Sequence, residues 1–170
     1  MRVFTEIQRF NQWWLVLLMT VITAIVIGFL AVGYTKNEPE ALNIYLISSI
    51  LPAVITIVLT GAIFMVKLQT KIDEKGIQYG FRPFQKKLRL ASWEEIDSVY
   101  IRKYKALSEF GGWGYKFSLK GRGKVYNTKG NMGIQIVFKD GKKTLIGTQK
   151  PNEVKQIIAT YTSKKTSYEI

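Results

Sequence analysis

Two long uncharged runs dominate the first 66 residues of the chain. The runs Trp13–Val32 and Leu42–Val66 contain no Asp, Glu, Lys or Arg. A helix of about 20 apolar residues, rising ~1.5 Å per residue, matches the ~30 Å hydrocarbon core of a bilayer. We therefore predict a membrane anchor over residues 1–69, with transmembrane helices at about residues 12–33 and 42–68.

Charge divides the chain at the same place. Residues 1–69 carry four basic and three acidic residues, which leaves 21 basic and 9 acidic residues in 70–170, so nearly all of the net charge of +13 lies in the second part. Such an excess favours anionic partners, either an anionic lipid surface or nucleic acid. A solubilising surface without a specific partner is the alternative. No RNA-recognition, KH or helix-turn-helix pattern is present, which disfavours nucleic-acid binding at the membrane.

The basic residues that flank the runs predict their orientation. The connection Gly33–Ala41 holds one Lys, whereas Arg2 and Arg9 precede the first run and three lysines within Lys67–Lys75 follow the second. Basic residues near a membrane stay on the cytoplasmic side. We therefore predict a multi-pass protein of the cell inner (plasma) membrane with cytoplasmic N- and C-termini. The first run also lacks the small-residue cleavage site of a signal peptide.

Residues 70–165 change to an alternating pattern. A period of two over five or six residues is typical of half-buried strands. The segments with this period or a strand-like composition are Gly76–Phe81, Lys87–Ala91, Val99–Tyr104, Tyr115–Leu119, Ile134–Lys139 and Lys143–Ile146. From Pro151 onward an i, i+3, i+4, i+7 stripe predicts one amphipathic helix. The fold class is thus α+β: a helical hairpin, then six or seven short antiparallel strands and one closing helix, with 166–170 as a tail.

Several short segments resemble bacterial two-span membrane proteins with a C-terminal pleckstrin-homology-like (PH-like) domain. The matching segments are Phe4–Trp14, Ser92–Ile96, Glu109–Tyr115, Gly133-Ile134 and Asp140–Pro151. The resemblance implies a bent antiparallel β-barrel with one end covered by the C-terminal helix. It implies a fold and a topology more than an activity.

Two functions remain open from this resemblance. The first is a non-catalytic module for protein–protein interaction or assembly, including a homo-oligomer. The second is a sensor of anionic lipid head groups, because PH domains that bind inositol phosphates use Lys and Arg in their first hairpin loop. The comparable basic region here is Arg82–Arg89.

A first set of basic residues is predicted to contact the membrane surface or an anion. Its members are Lys67, Lys71, Lys75, Arg82, Lys86, Lys87 and Arg89. The first three recur every four residues, so they share one face if the second helix continues beyond the bilayer. Ordinary positive-inside flanking is the alternative for these lysines.

The segment Phe110–Tyr115 is the most distinctive local feature. Gly111, Gly112 and Gly114 surround Trp113, which fits an interaction loop with an aromatic anchor. We favour the alternative, a bulge whose Trp113 packs into the core.

A second, weaker basic patch lies on glycine-containing turns. Its members are Lys120, Arg122, Lys124, Lys142 and Lys143. Glycines between cations can cradle a phosphate, although solvated hairpin tips have the same composition.

The composition excludes several reaction classes. The chain has no Cys and no His, which removes disulfides, thiolate chemistry, imidazole base catalysis and the common zinc sites. Glu94, Glu95 and Asp97 form the only carboxylate cluster, and the sequence offers it no evident partner. We therefore predict no catalytic residues, no metal and no cofactor.

Overall fold

The chain forms two compact units in a computed structural model that describes residues 3–36, 39–118 and 121–166. The helical unit spans Phe10–Met65, and the β unit joins Met1–Arg9 to Val66–Ile170. This division differs from the predicted boundary at residue 69, because the segment before the first helix belongs with the strands. The predicted α+β class is confirmed.

The helical unit contains α1 (Trp13–Lys36) and α2 (Pro39–Met65). By length and composition, one helix of the described chain is apolar enough to cross a membrane, Trp13–Thr35 with a mean hydropathy of 2.9; a signal sequence has the same properties. The described apolar part of α2, Ile50–Met65, is shorter. The two helices touch where the Thr60 hydroxyl lies 3.8 Å from the Met19 sulfur.

Nine strands and two helices make up the described β unit. They are β1 (Phe4–Arg9), β2 (Lys67–Asp73), β3 (Gly76–Arg82), β4 (Arg89–Ser92), β5 (Ile96–Lys103), α3 (Ala106–Phe110), β6 (Gly114–Phe117), β7 (Lys124–Asn127), β8 (Met132–Phe138), β9 (Lys143–Gly147) and α4 (Pro151–Thr166).

The strand β2 replaces the predicted continuation of the second helix. Leu68, Thr70 and Ile72 are fully buried and alternate with half-buried residues, which is the period of a strand. The prediction that α2 extends to residue 68 is therefore wrong. It is also wrong that Lys67, Lys71 and Lys75 share a helical face, since Lys75 lies in the turn after β2.

The first strand, β1, completes one sheet although the whole helical unit separates it in sequence from its partner strand β2. β1 pairs antiparallel with β2, from Phe4 opposite Ile72 to Arg9 opposite Lys67. The two chain connections to the helices therefore leave this sheet side by side. The sheet continues in the order β1-β2-β3-β4.

The polarity of β1 is inverted relative to an ordinary edge strand. Glu6 and Gln8 are buried, whereas Ile7 is 58% exposed. A buried carboxylate or amide is costly unless its hydrogen bonds are made. The Glu6 carboxylate accepts hydrogen bonds from the Thr148 hydroxyl at 2.7 Å and from the backbone N–H of Gln149 at 2.8 Å.

The Gln8 side chain links β1 to the second sheet in the same manner. Its amide nitrogen donates to the Gly147 carbonyl at 2.7 Å, and its amide oxygen accepts from the Thr128 hydroxyl at 3.1 Å. All of these groups are buried, so each bond satisfies two polar groups that water does not reach. Polar side chains of β1 thus fix the first sheet to the second.

The second sheet contains one parallel pair. Its order is β5-β8-β9-β7-β6, and β7 runs parallel to β9. The prediction of wholly antiparallel strands is wrong at this pair. The cause is the segment α3–β6–β7, which lies between β5 and β8 in sequence and adds its two strands beyond β9. Since β7 and β9 both run opposite to β8, they run parallel to each other.

The core lies between the sheets and under α4. Its fully buried apolar side chains include Leu68, Ile72, Ile77, Ala91, Val125, Ile134, Ile136, Leu145, Ile146 and Val154. The predicted apolar stripe of α4 is confirmed, because Val154 and Ile158 are buried and Tyr161 stacks on Trp93 with ring centroids 5.5 Å apart. The Trp93 indole N–H in turn donates to the Asp73 carbonyl at 2.8 Å.

The β1 contacts generate a stability prediction. Gln8→Leu leaves the Gly147 carbonyl and the Thr128 hydroxyl buried without these partners, so we expect the free energy of unfolding to fall by about 1–3 kcal/mol. Thr5→Leu places the same side chain at an exposed position of β1 and is expected to change it by less than about 0.5 kcal/mol. Thermal unfolding of the detergent-solubilised chain compares the two. Equal losses would contradict the role of Gln8.

Candidate ligand-binding cleft between the two sheets

A cleft of about 760 Å³ opens between the two sheets of the β unit. One wall comes from β3, β4 and the turn after β4, and the other from the β6–β7 hairpin and the β8–β9 turn. Its lining residues are Tyr79, Arg89, Glu94, Glu95, Phe117, Ser118, Gly121, Gly123, Lys124, Phe138, Lys139, Asp140, Gly141, Lys142, Lys143 and Thr144. The strands β4 and β6 stand at the ends of their sheets, so this cleft lies where the two sheets remain apart.

The charges along the cleft are predominantly positive. Five of the lining residues are Lys or Arg and three are Glu or Asp. Among the described residues, Arg89, Lys139 and Lys143 form no salt bridge. Cations that face a shared cavity without internal partners favour an anionic ligand.

Two other lining cations have partners. Lys142 pairs with Asp140 at 2.6 Å, and this contact lowers the pKa of the Asp140 carboxyl and raises the pKa of the Lys142 ammonium. The Lys124 ammonium lies 5.6 Å from the centre of the Phe117 ring. Such a cation–π contact leaves the ammonium accessible to a ligand.

A cluster of tyrosine side chains lies next to the cleft, and one of its members, Tyr79, lines it. Tyr79 is the cross-strand partner of Arg89, and its ring lies 5.0 Å from that of Tyr126. Tyr115 lies 4.8 Å from Tyr126 on the neighbouring strand. Tyr126 shares its face of β7 with Lys124, two residues earlier, which lines the cleft.

The Tyr126 side chain is 1% exposed and lies against Tyr79 and Tyr115. Desolvation by burial raises the pKa of Tyr126 far above its usual range, with smaller and opposed contributions from the charge of Arg89 and from Tyr115. The hydroxyl therefore remains protonated at neutral pH.

Gly123 allows the β6–β7 hairpin to approach β9. Its φ is +81°, and an added Cβ would lie 2.0 Å from the Lys143 carbonyl oxygen. Only glycine fits so close to a neighbouring backbone in this conformation. The contact brings Lys124 and Lys143, two members of the second basic patch, to the same rim.

Arg122 has a different environment from the other members of that patch. Its guanidinium lies 2.8 Å from the Glu109 carboxylate, which also binds Arg102 at 2.9 Å and accepts from the Lys105 amide at 2.8 Å. Burial of Glu109 raises its pKa, but these three contacts outweigh that effect and leave the pKa lowered. This ion cluster holds the hairpin turn against β5. Lys120 lies outside the described residues.

Trp113, at the centre of the predicted interaction loop, packs against the core. Trp113 is half-buried against the core cluster that includes Tyr104, Phe110 and Val125. Gly111 ends α3 with φ +71°, and the Gly114 amide donates to Asn127 at 2.9 Å. Residues 111–113 thus connect α3 to β6, and Trp113 lies partly buried beside the core.

The members of the first basic set lie apart from one another, with Lys75 in the turn after β2. Lys67 and Arg82 are register partners at the end of the first sheet next to Arg9, and Lys86 and Lys87 follow in the β3–β4 loop. Lys71 pairs with Asp73 at 2.9 Å. Only Arg89 reaches the cleft, where it joins Lys124, Lys142 and Lys143 from the second patch.

Sequence reasoning missed the tyrosine cluster. Tyr115 and Tyr126 are cross-strand partners in β6 and β7, and the packing of the first sheet on the second brings Tyr79 to them. A partial signal was present in the alternation of Tyr115 and Phe117 with polar residues. Among the described residues no group of three or more Asp and Glu side chains is arranged to hold a metal ion.

Comparisons of the chain with protein-family models, with characterised proteins and with solved structures give no match.

The close approach at Gly123 generates a second prediction. Gly123→Ala is expected to destabilise the β unit by more than Gly121→Ala, because Gly121 has a similar φ of +69° but nothing within 4 Å of an added Cβ. The control thus measures the backbone cost alone, about 1–2 kcal/mol, and the difference reports the clash with Lys143. Thermal unfolding measures both. Equal destabilisation would contradict the close approach.

Proposed function

We propose that this chain is a two-span membrane protein that displays a basic PH-like domain on the cytoplasmic side and binds a protein partner there, without catalysing a reaction. The observation that carries the proposal is the cleft between the sheets, whose lining combines cations that form no salt bridge with the aromatic side chains of Tyr79, Phe117 and Phe138. The partner class includes a further copy of the chain.

Strand pairing supports two membrane crossings. β1 precedes α1 and β2 follows α2, and these strands are hydrogen-bonded to each other. Paired strands must lie on the same side of a membrane. If α1 crosses the bilayer, the chain must return before β2, and the uncharged run Leu42–Val66 supplies that return.

The order of elements supports the PH-like assignment. A four-stranded antiparallel sheet is followed by a second sheet and a C-terminal helix that packs on β5, β1 and β8. The strands β5, β8 and β9 form a meander within the second sheet. The segment α3–β6–β7 is an addition to that pattern and forms one wall of the cleft.

Anionic lipid head groups are the alternative ligand, and the end of the first sheet favours them. Arg9, Lys67 and Arg82 lie side by side where the chain continues into its apolar helices. In the adjoining loop Phe84 is 74% exposed. Cations and an exposed aromatic side chain together are typical of surfaces that contact a bilayer.

Cysteine labelling tests the topology. The natural chain has no Cys, so single cysteines can be introduced without background. We expect Asn37→Cys to react with a membrane-impermeant reagent on intact cells, whereas Thr5→Cys and Lys142→Cys react only after permeabilisation. Opposite labelling of Thr5→Cys and Lys142→Cys would contradict the hairpin, because β1 and the domain would then lie on different sides.

Photo-crosslinking in cells tests the function. A benzophenone amino acid at Phe117, which is 58% exposed in the cleft wall, is expected to give a discrete adduct with a protein. The added double change Arg89→Glu and Lys143→Glu reverses two cleft charges and is expected to abolish the adduct. The matched double change Lys103→Glu and Lys155→Glu alters exposed cations outside the cleft and is expected to retain it.

The same experiment separates the alternative function. A benzophenone at Phe84 reports on the basic end of the first sheet. Lipid adducts at Phe84 together with no protein adduct at Phe117 would contradict protein binding in the cleft and favour the head-group sensor.

A further inference from the structure

We propose that a second pocket of the β unit, the arginine pocket, binds a phosphoryl group carried by the protein partner. Its donors are Arg102, Arg122 and Lys143, and the pocket has a volume of about 340 Å³. It adjoins the cleft, since Gly121 and Lys143 line both cavities. The inference rests on the proposed function and names the chemistry that the partner presents.

Strand register places the arginine pocket on one face of the second sheet. Tyr100 is the partner of Gln135, and Arg102 follows Tyr100 by two residues, so these side chains share a face. Lys143 lies on the same face, two residues before the partner of Gln135 on β9. Arg122 reaches the pocket from the turn of the β6–β7 hairpin. Three cations that are far apart in sequence therefore meet at one cavity.

Glu109 fixes the positions of the two arginines. Its Oε2 atom accepts from Arg102 at 2.9 Å and from Arg122 at 2.8 Å. Its Oε1 atom accepts from the Lys105 backbone N–H at 2.8 Å. The Glu109 side chain is 11% exposed, so these contacts form in a partly desolvated environment. One oxygen thus holds two guanidinium groups side by side, which reduces the entropy that a ligand must remove to order them.

Most donors of the arginine pocket remain available to a ligand. A guanidinium carries five N–H groups, and within the described residues Arg122 uses only Nη1, in its contact with Glu109. Arg102 uses Nε for the Gln135 side chain and Nη1 for Glu109 and a backbone carbonyl, which leaves Nη2 without a partner in the described chain. The Lys143 ammonium likewise forms no salt bridge there. An anion in the pocket can therefore accept from all three side chains.

The charge of the arginine pocket favours a dianion. Its lining holds three cations and one carboxylate, that of Glu109, so its net charge is +2. Glu94 and Glu95 line the cleft but not this pocket. A phosphorylated side chain carries a charge of about −1.5 to −2 at neutral pH and three acceptor oxygens, which match the three donors. Arg also binds phosphate through two parallel hydrogen bonds.

The test measures binding of a phosphopeptide to the full chain in a phosphate-free detergent at physiological salt. The probe is a fluorescein-labelled peptide of Gly and Ser with one phosphoserine, and two control peptides carry Ser or Glu at that position. We expect the phosphopeptide to bind at least about tenfold more tightly than the Glu control. Equal affinity of these two peptides would overturn the proposal.

Substitutions locate the binding site. Arg122→Gln and Lys143→Gln each remove one donor and should weaken phosphopeptide binding by about tenfold or more. Lys143→Gln breaks no salt bridge of the described chain, so it keeps the test informative if Arg122→Gln destabilises the hairpin. Lys103→Gln is the matched control, because it removes an exposed cation from the opposite face of β5. A loss of affinity in Lys103→Gln equal to that in Lys143→Gln would overturn the proposal, as would full affinity in both pocket variants.

A lipid phosphate is the competing source of the same chemistry. Tyr100 lines the pocket and is 47% exposed, so Tyr100→Cys reports occupancy through its reaction with a thiol reagent in nanodiscs. Protection of this cysteine by phosphatidic acid, together with no phosphopeptide binding, would assign the pocket to a lipid and overturn the proposal.

Phosphatase treatment separates this inference from the proposed function. We expect the protein adduct at Phe117 to disappear when membranes are treated with a phosphatase before irradiation. If the adduct persists, the inference fails and the proposed function stands. If the phosphopeptide binds but no protein adduct forms at Phe117, the arginine pocket stands and the partner site in the cleft fails. If neither is found, both fail.

Discussion

The β unit depends on the pairing of β1 with β2. These strands are separated in sequence by the entire helical unit, and their pairing completes the first sheet. The buried side chains of β1 extend this constraint to the second sheet, because Glu6 and Gln8 form hydrogen bonds with groups at the end of β9 and in the turn before β8. In a buried site such bonds are costly to leave unmade. The N-terminal segment is thus a structural part of the domain.

The cleft is a consequence of how the sheets end. At the end of β9, polar side chains of β1 form hydrogen bonds that join the two sheets. Under α4, apolar side chains fill the space between the sheets. Between β4 and β6 the sheets of the described chain are joined neither by such hydrogen bonds nor by apolar packing. The cleft opens there instead, beside a cluster of tyrosines that includes Tyr79. Its rim carries cations, and among the described residues Arg89, Lys139 and Lys143 form no salt bridge.

Much of the fold follows from sequence patterns, and the exceptions have identifiable causes. The alternation in Ile134–Lys139 and the turn at Asp140-Gly141 correctly predicted β8 and β9, and the apolar stripe predicted α4. β1 is not predicted from the sequence because its buried face carries Glu6 and Gln8, whereas Ile7 is exposed. This is the reverse of the usual pattern of burial. β2 is not predicted because its lysines, four residues apart, fit the spacing of a helix. The residues that form its buried face are Leu68, Thr70 and Ile72.

The candidate site was less predictable than the fold. Lys124, Lys142 and Lys143 were recognised as one basic patch, but Arg89 was assigned to the membrane set because it follows Lys86 and Lys87 in sequence. Its proximity to Lys143 depends on the approach of two sheets, and no local pattern encodes that approach. The contact of Tyr79 with Tyr126 is non-local for the same reason, since it joins β3 of the first sheet to β7 of the second.

The pairing of β1 with β2 also fixes an order of assembly. During synthesis β1 emerges first, but its partner is made only after both helices, so β1 must wait as an unpaired strand. Until then the backbone of β1 and the polar side chains of Glu6 and Gln8 have no partners within the chain. The first sheet can close only when the segment between the two strands has brought Arg9 and Lys67 together. A chain in which this pairing fails retains an exposed strand edge, a feature that promotes aggregation.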